Sequence, residues 1–78
     1  MTIRVKMVAL RPPKEPCEQE SGWYVLSVPE NTSPAELLSM FGIESFTPVC
    51  VRNGNVSEYD ALLNEGDEIL FMHAVYGG

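Results

Sequence analysis

The stretch that decides the fold is ILFMHAVYGG, residues 69–78. Its apolar part predicts the last strand of a sheet. Because successive side chains of a strand point to opposite faces, Ile69 and Phe71 share one face and Leu70 and Met72 share the other. We expect Ile69 and Phe71 to lie in the core beneath a helix. Leu70 and Met72 then form an apolar patch on the open face of the sheet, where such patches often contact a partner.

The N-terminal part of the chain predicts two strands joined by a long loop. Residues 3–10 alternate between apolar and polar or basic side chains, and residues 23–28 alternate again. Between them, residues 11–22 contain three prolines and show no hydrophobic period, which predicts a surface loop at the tip of an antiparallel hairpin. Trp23 is expected to pack within this hairpin.

The start of a helix follows the hairpin. Ser33-Pro34-Ala35-Glu36 matches a capping box, with Ser33 as the N-cap, Pro34 at the first helical position and Glu36 reaching back. Apolar residues at helical spacing then supply a buried stripe. Gly42 is placed to end the helix in a left-handed turn, so the helix is expected to be about two to three turns long.

The next segments predict one more strand and two connections. Residues 49–51 form a short strand, in which Cys50 is expected to be a buried core residue. Asn53-Gly54 is a strong signal for a tight turn. Residues 59–63 predict either a single helical turn or a loop anchored by apolar side chains.

Together these elements predict an α+β fold: a mixed sheet of four to five strands with one main helix packed on one face. The two terminal strands are expected to pair in parallel at the centre of the sheet. A chain of 78 residues fits one domain. We place that domain at residues 1–75 and a flexible C-terminal Gly-Gly tail at residues 76–78.

The chain is acidic, with a net charge of −6 from eleven acidic and five basic residues. Such a surface repels nucleic acid backbones and anionic membranes, so neither is an expected partner. It suits electrostatic steering toward a basic protein partner. The sequence shows no transmembrane run and no signal peptide, which predicts a cytoplasmic location.

The side chains predict no catalytic site and no metal site. Cys17 and Cys50 lie far apart and lack the spacing of zinc ligands. His73 has no partners at the spacing of a catalytic triad and is expected to be a strand residue near the tail. The acidic residues around Asp67 are expected to form a solvated turn.

Three stretches of the chain resemble the sulfur-carrier family that includes ThiS and MoaD: VRNGNV at residues 51–56, LNEGDEI at residues 63–69 and AVYGG at residues 74–78. Family members carry a similar turn, a Leu-x-x-Gly-Asp-Glu stretch before the last strand, and a Gly-Gly ending. The ending is closer to ThiS, the thiazole-synthesis carrier, than to MoaD, the small subunit of molybdopterin synthase. The resemblance implies a β-grasp, or ubiquitin-like, fold.

The same resemblance implies the chemistry of the tail. An adenylating (activating) enzyme would use ATP and magnesium to activate the carboxylate of Gly78, and sulfur would then displace AMP to leave a thiocarboxylate. Tyr76 and Gly77 would lead Gly78 into the partner, and the two glycines suit this path because a backbone without Cβ atoms threads a narrow channel. The implied partners are the activating enzyme, a sulfur donor such as a cysteine desulfurase, and an acceptor synthase. The chain itself is expected to be no enzyme and to bind no cofactor stably.

Several alternatives stay open at this point. Thiamin thiazole is the preferred end product, followed by molybdopterin and then by thiolated tRNA. The chain is alternatively a ubiquitin-like modifier conjugated through Gly78, or a binding module that uses its sheet face without carrying sulfur. Cys17 is expected to be exposed, and a sulfur-relay role for its thiol is a minor alternative.

Overall fold

Strands from the two ends of the chain build the centre of the sheet. The computed structural model describes residues 1–14, 19–44 and 46–73. Within those ranges it has six strands and one α-helix: β1 (Thr2–Val8), β2 (Gln19–Glu20), β3 (Trp23–Ser27), α1 (Pro34–Met40), β4 (Val49–Arg52), β5 (Asn55–Val56) and β6 (Glu68–Met72). The strands form one mixed sheet in the order β2-β3-β1-β6-β4-β5, with α1 on one face, which is the predicted β-grasp arrangement.

The terminal strands β1 and β6 lie side by side at the centre and run parallel, as predicted. Their register pairs Val5 with Ile69 and Met7 with Phe71. β3 pairs antiparallel with β1, which confirms the predicted hairpin, and β4 pairs antiparallel with β6. The two-residue strands β2 and β5 extend the outer edges of these four main strands.

The core lies between the sheet and α1. Ile69 and Phe71, the predicted core pair of β6, are both 0% exposed. Tyr24 and Phe41 meet edge to face, with ring centroids 5.2 Å apart. Burying one large apolar side chain contributes roughly 1.5–3 kcal/mol, so this face of β6 supplies much of the folding free energy. The other core residues on the strands and around α1 are Ile3, Val5, Leu26, Val28, Leu37, Leu38, Ile43, Cys50 and Leu63.

The helix α1 lies where the sequence predicts, but its first turn is capped differently. Ser33 is the N-cap residue and Pro34 the first helical residue. The Ser33 side chain makes no capping hydrogen bond to the backbone; its hydroxyl donates to the Glu36 carboxylate at 3.3 Å. The predicted capping box is wrong because these two side chains pair with each other. Gly42, with a φ of 74°, confirms the left-handed end of the helix.

The loop predicted at residues 11–22 contains the short strand β2. Gln19 of β2 pairs with Tyr24 of β3, and Ser21 and Gly22 form the tight turn between them with φ values of 55° and 84°. The prediction of an unpaired loop is therefore wrong at its C-terminal end. The pairing uses backbone groups of two exposed residues, so it leaves no hydrophobic alternation in the sequence.

The two terminal strands differ most from their predicted bounds. β1 ends at Val8, two residues early, because Ala9 has a φ of 58°, a left-handed conformation that interrupts an extended strand. The last strand begins one residue early and spans Glu68–Met72. The sequence pattern predicts this strand over residues 69–75. The prediction is wrong at His73, which lies just past the end of β6, and residues 74–75 lie outside the described residues.

A loop anchored by a buried leucine leads toward β6. The backbone N–H of Leu63 donates to the carbonyl of Thr32 at 2.9 Å, and that of Ala35 donates to the carbonyl of Tyr59 at 3.0 Å. Of the two alternatives predicted for residues 59–63, the structure has the loop and not the helical turn. These bonds attach the loop to the first turn of α1.

Candidate functional site: the open sheet face and the C-terminal tail

The strand β6 ends at Met72, and His73 is the last described residue before the C-terminus. The backbone N–H of His73 donates to the carbonyl of Val8 at 3.1 Å, so the β1–β6 pairing continues to this residue. The His73 ring lies 4.8 Å from the ring of Phe46. Tyr76, Gly77 and Gly78 lie outside the described residues, so their roles stay predictions.

The open face of the sheet, opposite α1, carries apolar side chains beside the end of β6. Met72 is 38% exposed and Leu70 is half-buried. The register of β4 with β6 places Val49 beside Met72 and Val51 beside Leu70, and that of β1 with β6 places Val8 beside Met72. These five residues form one surface, here called the apolar patch. It reaches Met72, the last residue of β6.

Sequence reasoning found only the β6 half of the apolar patch. The alternation around buried Cys50 does put Val49 and Val51 on one face of β4. The sequence carries no signal that β4 lies next to β6 and not at the other edge, so the pairing was missed. Val56 of β5 pairs with Val51 and is largely exposed, which extends the apolar surface outward.

Asp67, in the turn before β6, is the centre of a polar network. Its Oδ2 accepts hydrogen bonds from Arg52 Nε at 2.9 Å and from the backbone N–H of Asn64 at 2.8 Å. Its Oδ1 accepts one from the side-chain amide of Asn53 at 3.0 Å. Asp67 is only 6% exposed, so the prediction of a solvated turn is wrong at this residue. A buried carboxylate needs such partners because each unpaired charge is costly.

The network also fixes the charge state of Asp67. Burial alone would raise the pKa of its carboxyl group, but the hydrogen bonds from Asn64 and Asn53 and the nearby Arg52 guanidinium outweigh burial and lower it. Asn53, which forms the predicted tight turn with Gly54, also accepts the backbone N–H of Glu68 at 2.9 Å. The network therefore ties the β4–β5 turn to the start of β6. Its role is to fix the start of β6, the strand that carries Leu70 and Met72 of the apolar patch.

The thiol of Cys50 is not an activated nucleophile. The residue is buried in the core, as predicted, and burial raises the pKa of its thiol to about 11 despite the nearby Arg52 charge. A thiol needs a lowered pKa to react as the thiolate at neutral pH. Cys17 lies outside the described residues. Among the residues described, no group of three or more His, Cys, Asp or Glu side chains is placed to hold a metal ion.

A comparison with known protein families identifies the family of the chain. The sequence profile of the ThiS family matches residues 15–78, which is most of the chain and includes the Gly-Gly ending. The chain belongs to the ThiS family. Membership supports a sulfur-carrier role in cofactor biosynthesis, in a family of small carriers that are not themselves catalysts.

The ThiS-family chain is also similar to a solved structure. A chain of the protein–protein complex of subunits 1 and 2 of molybdopterin-converting factor from Helicobacter pylori 26695 matches with a TM-score of 0.60 and 16% sequence identity. The match covers all of both chains. At this identity it confirms the β-grasp fold and no more. A comparison with functionally curated proteins gave no match. In the described ranges of the ThiS-family chain, no helix has the length and apolar character to cross a membrane.

Proposed function

We propose that this ThiS-family chain carries sulfur on the carboxylate of Gly78. In the first step the carboxylate attacks the α-phosphate of ATP, which forms an acyl-adenylate and releases pyrophosphate. In the second step a sulfur nucleophile attacks the acyl carbon and AMP leaves, so one carboxylate oxygen is replaced by sulfur. The thiocarboxylate is then the nucleophile that an acceptor synthase consumes.

The observation that carries the proposal is the ThiS-family match, which runs through the Gly-Gly ending. The geometry of the described residues supports it. β6 is fixed at its start by the Asp67 network and at its end by the bond from His73 to Val8. A tail that leaves such a strand starts from a defined point beside the apolar patch, which suits delivery into a partner's active site.

The proposed division of labour gives the chemistry to the partners and the carrying group to this chain. Among its described residues the one cysteine has a raised thiol pKa. In this proposal the adenylating enzyme binds ATP and magnesium and supplies the acid–base chemistry. A cysteine desulfurase or a similar donor supplies the sulfur as a persulfide, and a thiol reductant cleaves the resulting acyl disulfide to release the thiocarboxylate. The chain supplies Gly78, the leading residues Tyr76 and Gly77, and a docking surface that includes Leu70 and Met72. In this proposal the chain is a carrier in the cytoplasm and not an enzyme.

The pathway proposed first is synthesis of the thiamin thiazole, because the ending Ala-Val-Tyr-Gly-Gly is closest to the ThiS carriers. Molybdopterin synthesis is the second choice. The similar solved chain comes from a molybdopterin-converting factor, although at 16% identity that likeness argues for the fold and not for the pathway. Thiolation of tRNA is the third choice.

The test is the intact mass of the chain after incubation with ATP, magnesium, sulfide and the candidate adenylating enzyme of the same source. We expect a gain equal to the exchange of one oxygen for sulfur, and no gain in a variant that lacks Gly78. A ladder of lysine conjugates in lysate without a thiocarboxylate would instead identify a protein modifier. An unchanged mass and no ladder would leave a binding module.

A further inference from the structure

The open sheet face carries a basic cluster next to the apolar patch. Continuing the β1–β3 register by one residue past Val5 and Tyr24 places Lys6 opposite Trp23. The Lys6 ammonium lies 5.6 Å from the centre of the Trp23 ring, and the Arg4 guanidinium carbon lies 5.5 Å from it. Here the indole does not serve hairpin packing alone, because it holds two cations close together.

The charges of this cluster are poorly compensated within the chain. Arg4 reaches Glu68 at 3.6 Å, but both side chains are substantially exposed, so the pair is weak. The Nε atom of Arg4 is buried and has no hydrogen-bond partner. Lys6 has no acidic partner within the described ranges. In contrast, the Arg52 guanidinium is bonded to buried Asp67 at 2.9 Å.

The basic cluster and the apolar patch are continuous. The β1–β6 register pairs Lys6 with Leu70 and Val8 with Met72. Lys6 of the basic cluster therefore lies directly beside Leu70 of the apolar patch. A partner that covers Leu70 therefore also comes to lie over Lys6. Covering Lys6 without an opposing acid would be costly, because it removes water from an unpaired ammonium group.

We infer that Arg4 and Lys6, beside the Trp23 indole, bind a carboxylate side chain of the activating enzyme while the apolar patch covers an apolar surface next to it. The inference rests on the proposed function and adds the chemistry of the partner: an Asp or Glu flanked by apolar residues. On a chain with a net charge of −6, the acidic remainder of the surface repels a partner carboxylate, so a local basic cluster favours one docked orientation. Fixed orientation is what a carrier needs to aim Gly78.

The experiment compares two charge reversals of the same residue type, Lys6→Glu and Lys14→Glu. Both lower the net charge equally, but Lys14 lies against Gly42 at the end of α1, away from the open face. In charging by the activating enzyme at low salt, Lys6→Glu is expected to raise KM by about tenfold or more with little change in kcat. Lys14→Glu is expected to change KM less than about twofold.

A neutral variant and a built-in reporter separate docking from folding. Lys6→Met keeps the apolar stem, and it is expected to flatten the salt dependence of kcat/KM seen in the wild type. Trp23 is the single tryptophan, so 5-fluorotryptophan gives one ¹⁹F resonance that is expected to shift when the enzyme is added. Lys6→Met is expected to reduce that shift at equal enzyme concentration, while its melting temperature stays that of the wild type.

Three results would overturn the inference while leaving the proposed function intact. The first is a KM for Lys6→Glu equal to that of the wild type. The second is an equal rise of KM for Lys14→Glu, and the third is a Trp23 resonance that does not shift when the enzyme is added. If the enzyme does not charge the wild-type chain, the proposed function is wrong, and this inference is wrong with it.

Discussion

The two faces of β6 differ in what they do for the molecule. Ile69 and Phe71 face α1 and are fully buried, whereas Leu70 and Met72, one residue along in each case, lie on the open face and retain exposed surface. The same five-residue strand thus serves folding with one set of side chains and presents a surface for docking with the other.

The comparison teaches that folding and docking can be changed separately on a single strand. A substitution at an even-numbered position of β6 should alter recognition with little loss of stability. A substitution at an odd-numbered position should alter stability, and it should affect charging only through loss of folded protein. The predictions below are ordered from the largest expected effect to the smallest.

Phe71→Ala is expected to have the largest effect on stability. Removing a fully buried aromatic ring costs about 3–5 kcal/mol, which approaches the whole stability of a small domain. Urea unfolding followed by circular dichroism measures the loss. Phe71→Leu, expected to cost about 1–1.5 kcal/mol, keeps the test quantitative if the alanine variant is unfolded.

The control for this prediction is Met72→Ala, which removes a side chain of the same strand from the open face. We expect a loss of no more than about 1 kcal/mol, because the side chain is partly exposed. Equal losses at Phe71 and Met72 would show that the two faces are not different in the way proposed.

Asp67→Asn is expected to cost about 2–3 kcal/mol at pH 7, because an amide cannot accept all the donors now aimed at the carboxylate. The folded pKa of Asp67 is lowered, so its stabilisation is present above the ordinary carboxyl value of 3.8 and is lost as pH falls through the lower folded pKa. The difference in free energy of unfolding between wild type and Asp67→Asn, measured by urea unfolding, should therefore shrink as pH falls below 3.8.

Glu65→Gln is the matched control for the turn before β6. The Glu65 carboxylate is exposed and accepts one hydrogen bond from the Thr2 N–H, which an amide oxygen also accepts. Glu65→Gln is expected to lower the free energy of unfolding by no more than about 0.5 kcal/mol. If the difference in free energy of unfolding between wild type and Asp67→Asn does not change with pH, the assignment of a charged carboxylate to Asp67 is wrong.

Met72→Glu is expected to impair charging more than stability. Placing a charge where an apolar contact forms should raise the KM for the activating enzyme about tenfold or more, equal to about 1.4 kcal/mol of docking free energy. Met40→Glu is a close control, since Met40 on α1 is also 38% exposed but lies on the other side of the sheet. Undiminished adenylation of Met72→Glu, or equal impairment of Met40→Glu, would count against the apolar patch.

Cys17→Ser is expected to have the smallest effect, with sulfur transfer to Gly78 unchanged. In the proposed mechanism sulfur reaches the acyl-adenylate from the donor without a relay through the loop. Charging with a cysteine desulfurase as donor, followed by intact mass, is the measurement. A large loss of thiocarboxylate in this variant, with adenylation intact, would revive the relay alternative.

The fold was predictable from the sequence where a local pattern carries it. Alternation in residues 69–72 correctly assigned the buried and open sides of the last strand, and Gly42 correctly marked the end of α1. These signals depend on neighbours along the chain. The edge strand β2 was missed because its two residues are both exposed, so no alternation of apolar and polar residues indicates it in the sequence.

Features that depend on distant residues were not predictable. Asp67 is buried because Arg52 and Asn53, which are 15 and 14 positions away, reach its carboxylate. The β4 half of the apolar patch depends on which strand neighbours β6. The basic cluster likewise depends on Trp23 lying across from Lys6. Residue spacing alone gives none of these contacts, since each is set by sheet order and register.

The measurement that most directly tests the central claim, that the tail reacts and the open face docks, uses a chain lacking Gly78 as an inhibitor. This variant keeps the apolar patch and the basic cluster, but its C-terminal carboxylate is now that of Gly77 and ends one residue short of the reacting position. Our account predicts that it supports no ATP–pyrophosphate exchange, yet competes with the wild-type chain for the activating enzyme with an inhibition constant comparable to the wild-type KM. Combining the deletion with Met72→Glu should raise that inhibition constant by about tenfold or more. A deletion variant that fails to compete would contradict the account, because docking would then depend on the tail and not on the open face.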